Sequence, residues 1–256
     1  MIEHLLIFLI GLIFGSFLNV LIHRIPLSIS LLKPLRSSCP QCQYAIKWYE
    51  NIPILSYFVL MRRCSNCNKP ISSLYPFIEI LTGCVTLILY MNYMLNFELI
   101  VLVTLFYTLI VLSFIDLKYK EVPDYLLIIS VILVFLIGDL SNILLFAGGF
   151  ALLELVVTFY IQNIKAKITK NKALENQSSL GDGDIPIAGV IGGLLGVELG
   201  LSAIFLAALL ALVPAVYNLI SRKEIETPFI PYLSLGLFIT LSTKFNVLYL
   251  YSTLFI

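Results

Sequence analysis

The chain has 256 residues, of which 60% are hydrophobic and only 12% are charged, and its mean hydropathy is +1.00. This composition excludes a soluble globular protein, and the recurrence of long apolar runs along the whole chain excludes a soluble core with a single anchor. The formal net charge of +1 gives no sign of a nucleic-acid partner, and none is expected.

We predict an all-α polytopic membrane protein with about eight transmembrane helices, surrounded by membrane lipid. The first is expected to be a permanent helix and not a cleavable signal peptide, because Glu3 precedes it and basic residues follow it. The predicted spans, in chain order, are residues 5–22, 76–95, 99–115, 125–137, 143–161, 185–199, 201–219 and 229–250.

Lysine and arginine are concentrated in alternate connections between these spans. Fifteen of the 16 basic residues lie there, and Lys244 is the exception. By the positive-inside rule these connections are cytoplasmic, so both termini are expected on the outer side of the membrane.

The connection after the first span contains two close cysteine pairs in the pattern C-x2-C-x21-C-x2-C. Four thiolates with this spacing can surround one zinc ion, and a reducing cytosol makes disulfides the weaker alternative. An insert of about 50 residues cannot bury an adequate core, so the zinc is expected to be structural; a catalytic or redox role and chance spacing are the alternatives. The predicted ligands are Cys39, Cys42, Cys64 and Cys67. Cys84, in the second span, is expected to be an ordinary buried residue.

Two carboxylates lie where predicted spans meet the cytoplasm. Asp116 closes the third span, where the helix dipole disfavours an anion, and Asp184 comes just before the sixth. Two converging carboxylates can share a proton, so that one activates water while the other donates a proton to a carbonyl or a leaving amine. The glycines around Asp182 and Asp184 would admit an extended peptide. Helix capping is the alternative role for Asp182 and Asp184, and it is the expected role of Asp124.

Polar residues also occur inside the predicted spans. Glu154 would cost about 2.5–3.5 kcal/mol or more if ionised there, so we expect it to be protonated and hydrogen-bonded to another helix, with contact to the acidic site as the alternative. Glu79 and Asn19 are expected to be helix-packing groups.

Six ordered motifs resemble those of the bacterial type IV prepilin peptidases, bifunctional leader peptidases and N-methyltransferases of the aspartate membrane-protease kind. They are GSFLNVLIHRIP, the two cysteine pairs, IKWYENIPILSY, ISSLYPFIEILTG, IDLKYKEVPD and GDGD. The resemblance implies that Asp116 and Asp184 are the catalytic pair of a membrane aspartic endopeptidase. It also implies removal of the basic leader from prepilins or pseudopilins at the cytoplasmic face of the bacterial inner membrane. Methylation of the new amino terminus with S-adenosylmethionine would follow.

The implied domains are a first transmembrane helix at residues 1–23, a zinc-binding cytoplasmic insert at 24–75 and a helical peptidase domain at 76–256. Two residues depart from the family pattern: Pro186 stands where a lysine is common, and Arg62 stands where a glycine is common. Because Arg62 lies in the insert linked to methyl transfer, a peptidase without methyl transfer is one alternative. A proton-coupled or ion-coupled transporter and a zinc-dependent assembly protein are the others. The sequence predicts no particular oligomeric state.

Overall fold

A computed structural model of the chain describes residues 2–31, 36–169, 181, 183–221 and 227–247. Within these residues the regular elements are helical, apart from two isolated β-bridges. The α-helices are α1 (Ile2–Arg24), α2 (Leu55–Val59), α3 (Leu74–Tyr93), α4 (Phe97–Tyr119), α5 (Asp124–Phe135), α6 (Leu140–Phe159), α7 (Ala166–Thr169), α8 (Asp184–Ile220) and α9 (Ile230–Thr243). A 3-10 helix, Trp48–Asn51, precedes α2, and a π-helical stretch, Tyr160–Lys165, joins α6 to α7.

Five of the described helical stretches are long and apolar enough to cross a membrane: α1, α3, α4, the stretch from Leu140 to Ile168, and α8. Two further apolar helices, α5 and α9, are shorter. The predicted all-α polytopic fold is therefore confirmed, whereas the count of eight spans stays a prediction. The predicted end of the last span, at residues 248–250, lies outside the described residues.

The helix α8 contains two of the predicted spans and is interrupted at Gly196, where φ is 70° and ψ is −170°. A Cβ built at Gly192 would lie 2.4 Å from the Phe146 ring, and one built at Gly200 would lie 2.7 Å from the same ring. Eight residues of straight helix would separate these two glycines by about 12 Å, so the chain must bend sharply between them. Glycine adopts this backbone conformation without the strain of a Cβ. The observed interruption at Gly196 lies close to the boundary between the predicted spans 185–199 and 201–219.

Residues 1–115 form one compact unit, in which α1 packs against α3. The approach is close because small residues face each other: a Cβ at Gly11 would lie 2.7 Å from the backbone of Gly83. Asn19 in α1 donates from Nδ2 to the carbonyl oxygen of Tyr75 at 3.1 Å, as expected for a helix-packing group. Cys84 is exposed, contrary to the prediction that it is buried. The preceding Gly83 occupies the side of α3 that faces α1, so Cys84 points about 100° away from it.

Residues 116–256 form the second unit, in which α8 packs against α5, α6 and α9. Small residues again permit close packing, since a Cβ at Gly236 of α9 would lie 2.4 Å from the carbonyl oxygen of Ala203 in α8. The division into two units falls inside α4. The predicted domains, 1–23, 24–75 and 76–256, stay a prediction.

Candidate active site and metal centre

Asp116 lies in the last turn of α4 and is only 7% exposed. Its backbone carbonyl accepts a hydrogen bond from the N–H of Lys120 at 2.9 Å, which continues the helical pattern to the end of α4. The backbone N–H of Ile230, the first residue of α9, interacts favourably with its carboxylate. The first residue of α9 therefore lies near the carboxylate at the end of α4.

Asp184 is the first residue of α8 and is only 5% exposed. Its Oδ2 accepts a hydrogen bond from the N–H of Gly181 at 3.1 Å, and its own N–H donates to the Gly181 carbonyl at 3.0 Å. The N-cap position belongs to Gly183, so Asp184 is not a capping residue. Asp182 lies outside the described residues. These two hydrogen bonds hold the glycine-rich turn closed around the Asp184 carboxylate.

Ile230 connects the two acids. Its backbone contacts Asp116, and its buried side chain packs on Gly183, where a Cβ would lie 2.7 Å from the Ile230 Cδ1. The Asp184 carboxylate is close enough to Asp116 and Glu154 for their negative charges to repel one another. Two acids that are far apart in sequence thus share one buried region of the second unit.

Glu154 in α6 was expected to hydrogen-bond another helix, with an approach to the acidic site as the alternative. Its electrostatic interaction with Asp184 is consistent with an approach to the acidic site, and the hydrogen bond to another helix stays a prediction. Asp124 does not cap α5, because Pro123 is the N-cap residue and no side chain caps this helix. The role of Ile230 has no signal in the sequence, since its backbone N–H, a group common to nearly all residues, makes the contact.

The two cysteine pairs fold in the same way, with equivalent residues 25 positions apart. In each, the N–H of the first cysteine donates to a carbonyl five residues later, and its carbonyl accepts from the N–H four residues later. The bonds are Cys39 to Tyr44 and Cys64 to Lys69, both 2.9 Å, and Gln43 to Cys39 at 2.8 Å and Asn68 to Cys64 at 3.0 Å. Gln43 and Asn68 both have positive φ, 61° and 57°. Each pair therefore presents its two sulfur atoms from the same tight turn.

The four Sγ atoms lie within 4.8 Å of one another, which makes this cluster able to bind a metal ion. The Sγ distances are 4.0 Å from Cys39 to Cys67 and 4.0 Å from Cys42 to Cys64. Tetrahedral zinc with Zn–S bonds of about 2.3 Å requires sulfur atoms about 3.8 Å apart, so the described geometry fits zinc. Four cysteine ligands complete the coordination and leave no position for a catalytic water.

The thiols of the cluster have unequal acidities. The backbone N–H of Tyr44 lowers the pKa of the Cys42 thiol to about 6. The backbone N–H of Lys69 acts in the same direction on Cys67, but burial and the neighbouring thiols outweigh it and raise the pKa of Cys67 to about 11. Four thiolates this close repel one another, and a divalent cation removes that repulsion.

Two family descriptions match the chain in sequence. "Bacterial Peptidase A24 N-terminal domain" matches residues 9–93, and "Type IV leader peptidase family" matches residues 103–216. A Bacillus subtilis protein named prepilin leader peptidase/N-methyltransferase is 32% identical over 234 residues, which cover 90% of each chain. The chain belongs to the type IV leader peptidase family. It is therefore a peptidase, and the resemblance found in the sequence is confirmed.

Other relatives of this leader peptidase carry the same name. The protein from Neisseria gonorrhoeae is 30% identical over 242 residues, covering 83% of this chain and 81% of its own. The protein from Myxococcus xanthus is 44% identical over 117 residues, covering 46% of this chain and 35% of its own. No solved structure matches the leader peptidase.

Proposed function

We propose that the chain is an aspartic endopeptidase of the bacterial cytoplasmic membrane, and that it removes the basic leader from prepilins or pseudopilins. Asp116 and Asp184 are the catalytic pair. The observation that supports this proposal most strongly is the shared burial of these two acids, one at the end of α4 and the other at the start of α8. Both occupy the positions of the family's two aspartate motifs.

The proposed reaction is hydrolysis of one peptide bond. One carboxylate, ionised, takes a proton from a water molecule, whose oxygen attacks the carbonyl carbon. The other carboxyl group, protonated, donates a hydrogen bond and then a proton to the carbonyl oxygen. Collapse of the tetrahedral intermediate breaks the C–N bond, and a proton passes to the leaving amine. Ile230 orients the Asp116 carboxylate through its backbone N–H, and the Gly181 N–H orients Asp184.

The proposed side of the membrane is the cytoplasmic one. The arrangement of basic residues along the chain supports it, since 15 of the 16 lie in alternate connections between the predicted spans. Asp116 lies at the C-terminal end of α4, just before one such connection. Asp184 lies at the N-terminal end of α8, just after another. A substrate with its apolar helix in the bilayer and its basic leader in the cytoplasm would present its scissile bond at this level.

The four-cysteine cluster is proposed to hold a structural zinc ion that stabilises the insert between α1 and α3. Because the relatives are named prepilin leader peptidase/N-methyltransferase, we extend methyl transfer to this chain, with S-adenosylmethionine as donor. In that step the sulfonium methyl group moves to the nitrogen of the new amino terminus, which loses a proton, and the thioether of the donor is released.

Arg62 does not argue against this second activity. Its φ is 61°, a conformation that favours glycine, so the glycine expected at this position meets a backbone requirement. Arginine at this position adds backbone strain. Because the glycine that it replaces has no side chain, no group that could act on the methyl donor is lost.

The reaction is tested with the purified full-length chain in lipid nanodiscs, a prepilin and mass spectrometry. Without methyl donor, we expect the prepilin to lose the mass of its leader. With S-adenosylmethionine, the product gains the mass of one methyl group, whereas a product cleaved but unmethylated would mean a peptidase alone. Asp184→Asn is the control and is expected to leave the prepilin intact. Wild-type protein that leaves the prepilin intact, or Asp184→Asn protein that cleaves at the wild-type rate, would contradict the proposal.

A further inference from the structure

The short helix α2 has an apolar face that is exposed to the surroundings. Leu55, Phe58 and Val59 lie on one side of this helix because they recur at positions i, i+3 and i+4. Their side chains are 63%, 62% and 79% exposed, and that of Met61, just beyond the helix, is 82% exposed. Adjacent large apolar side chains with this exposure mark a surface that is covered by something apolar.

The turn that leads into α2 runs beside the membrane helices. Ile54, the N-cap residue of α2, donates its backbone N–H to Oε2 of Glu79 at 2.8 Å. Glu79 lies five residues after the start of α3, which is about 7 Å along the helix axis. Pro53, in the same turn, lines a cavity of about 250 Å³ together with Ser16 and Phe17 of α1. The start of α2 therefore lies within the length of the membrane helices and not above their ends.

This position is fixed by a buried acid and a strained residue. Glu79 is buried, and it interacts with both the Ile54 N–H and the Ser16 side chain. Ile54 has a φ of 62° and a ψ of −52°, which is unfavourable for a β-branched residue. Such a conformation persists only where the surroundings impose it, so the hydrogen bond to Glu79 holds α2 at this depth.

The charge around the apolar face complements an anionic membrane. Residues 24–75 contain seven lysines and arginines but only one acid, Glu50. Arg62 and Arg63 follow Met61 directly, and both are exposed. An apolar helix face that penetrates about 5–10 Å and has a basic border is the pattern of a helix lying in the surface of an anionic bilayer.

We propose that α2 is an interfacial helix, with Leu55, Phe58 and Val59 inserted among lipid acyl chains and with Arg62 and Arg63 at the phosphate groups. The occupant of the apolar face is an anionic phospholipid bilayer. The helix holds the metal-binding insert at the membrane surface, at a level set by Glu79. This inference concerns the first unit alone and does not depend on the proposed catalytic pair.

The chain's single tryptophan makes a fluorescence test possible. Replacement of Trp48 by phenylalanine removes the native signal, and Phe58→Trp then places the only reporter on the apolar face of α2. The control is Gln41→Trp in the same background, an exposed position on the first cysteine turn. Each full-length variant is placed in nanodiscs of phosphatidylcholine and phosphatidylglycerol, with or without bromine atoms near the glycerol end of the acyl chains.

We expect the brominated lipid to quench Phe58→Trp at least twofold more than Gln41→Trp. Replacement of phosphatidylglycerol by phosphatidylcholine should weaken that difference, because the basic border then loses its partner. Quenching of Phe58→Trp no greater than that of Gln41→Trp would overturn the proposal. Blue-shifted but unquenched emission from Phe58→Trp would also overturn it, since protein and not lipid would then cover the face. If Phe58→Trp does not fold, Val59→Trp carries the same expectations.

Discussion

Ile230 packs its side chain on Gly183, the residue before Asp184, and its backbone N–H interacts favourably with the carboxylate of Asp116. One residue at the start of α9 thus positions the end of α4 relative to the start of α8. The Ile230 side chain is only 2% exposed and has little room to move. Changes in its packing are therefore expected to move the two acids relative to each other.

This relationship predicts an effect of Gly183→Ala that Ile230→Val relieves. The added methyl group would lie 2.7 Å from the Ile230 Cδ1, an atom that valine lacks. We expect Gly183→Ala to lower the cleavage rate about tenfold, as strain of about 1–2 kcal/mol displaces the site. The double variant Gly183→Ala/Ile230→Val should recover most of that loss in steady-state cleavage assays. No recovery in the double variant would mean that the contact does not position the acids.

Packing between α8 and α9 predicts a difference between two glycine substitutions. Gly236→Ala would bring a methyl group to 2.4 Å from the Ala203 carbonyl oxygen, whereas nothing lies within 4 Å of a Cβ at Gly148. We expect Gly236→Ala to destabilise the protein by about 1–3 kcal/mol, and Gly148→Ala to be neutral or slightly stabilising in its helix. Thermal unfolding in the same detergent measures both. Equal midpoints for the two variants would be incompatible with this packing.

The cysteine cluster predicts about one zinc ion per chain, bound by four thiolates. Cys39→Ser or Cys64→Ser should lose the metal, because neither turn alone supplies four ligands. Cys84→Ser, outside the cluster, is the matched control and should keep it. Elemental analysis of the purified proteins measures the content. Retention of zinc by both cluster variants would rule out the four-cysteine site.

Backbone strain at Arg62 predicts that glycine is better tolerated there than at the next residue. Arg62 has a φ of 61°, whereas Arg63 is not among the residues with positive φ. In a neutral detergent, where Arg62 has no lipid phosphate to contact, we expect Arg62→Gly to stabilise the chain by about 0.5–1 kcal/mol and Arg63→Gly to give no gain, with zinc content unchanged in the first variant. Thermal unfolding compares the two. A loss of stability in Arg62→Gly would show that the arginine side chain, and not the backbone, determines this position.

Much of the fold could be predicted from the sequence because the membrane imposes long apolar helices. Asp116 and Asp184 could be predicted as the catalytic pair because they lie at the ends of such apolar runs and within the family motifs. The cysteine cluster followed from its spacing, and its repeated turn geometry agrees with that prediction.

The remaining features depend on tertiary contacts that leave no pattern along the chain. Several glycines occur between residues 189 and 200, and only the packing of both Gly192 and Gly200 against Phe146 requires a bend between them, which lies at Gly196. Cys84 is exposed because its neighbour faces α1, although both residues belong to the same apolar run. The Ile230 contact uses a backbone N–H, so no side-chain type predicts it.

Joint action of Asp116 and Asp184 is tested most directly by the cleavage rates of Asp116→Asn, Asp184→Asn and the double variant on one prepilin. Because both groups act on the same bond, each single variant should lose about a thousandfold or more, and the double variant should be no slower than the slower single one. Unchanged unfolding midpoints would exclude loss of the fold. A single variant that keeps more than about a tenth of the wild-type rate, or single effects that multiply in the double variant, would contradict a shared catalytic site.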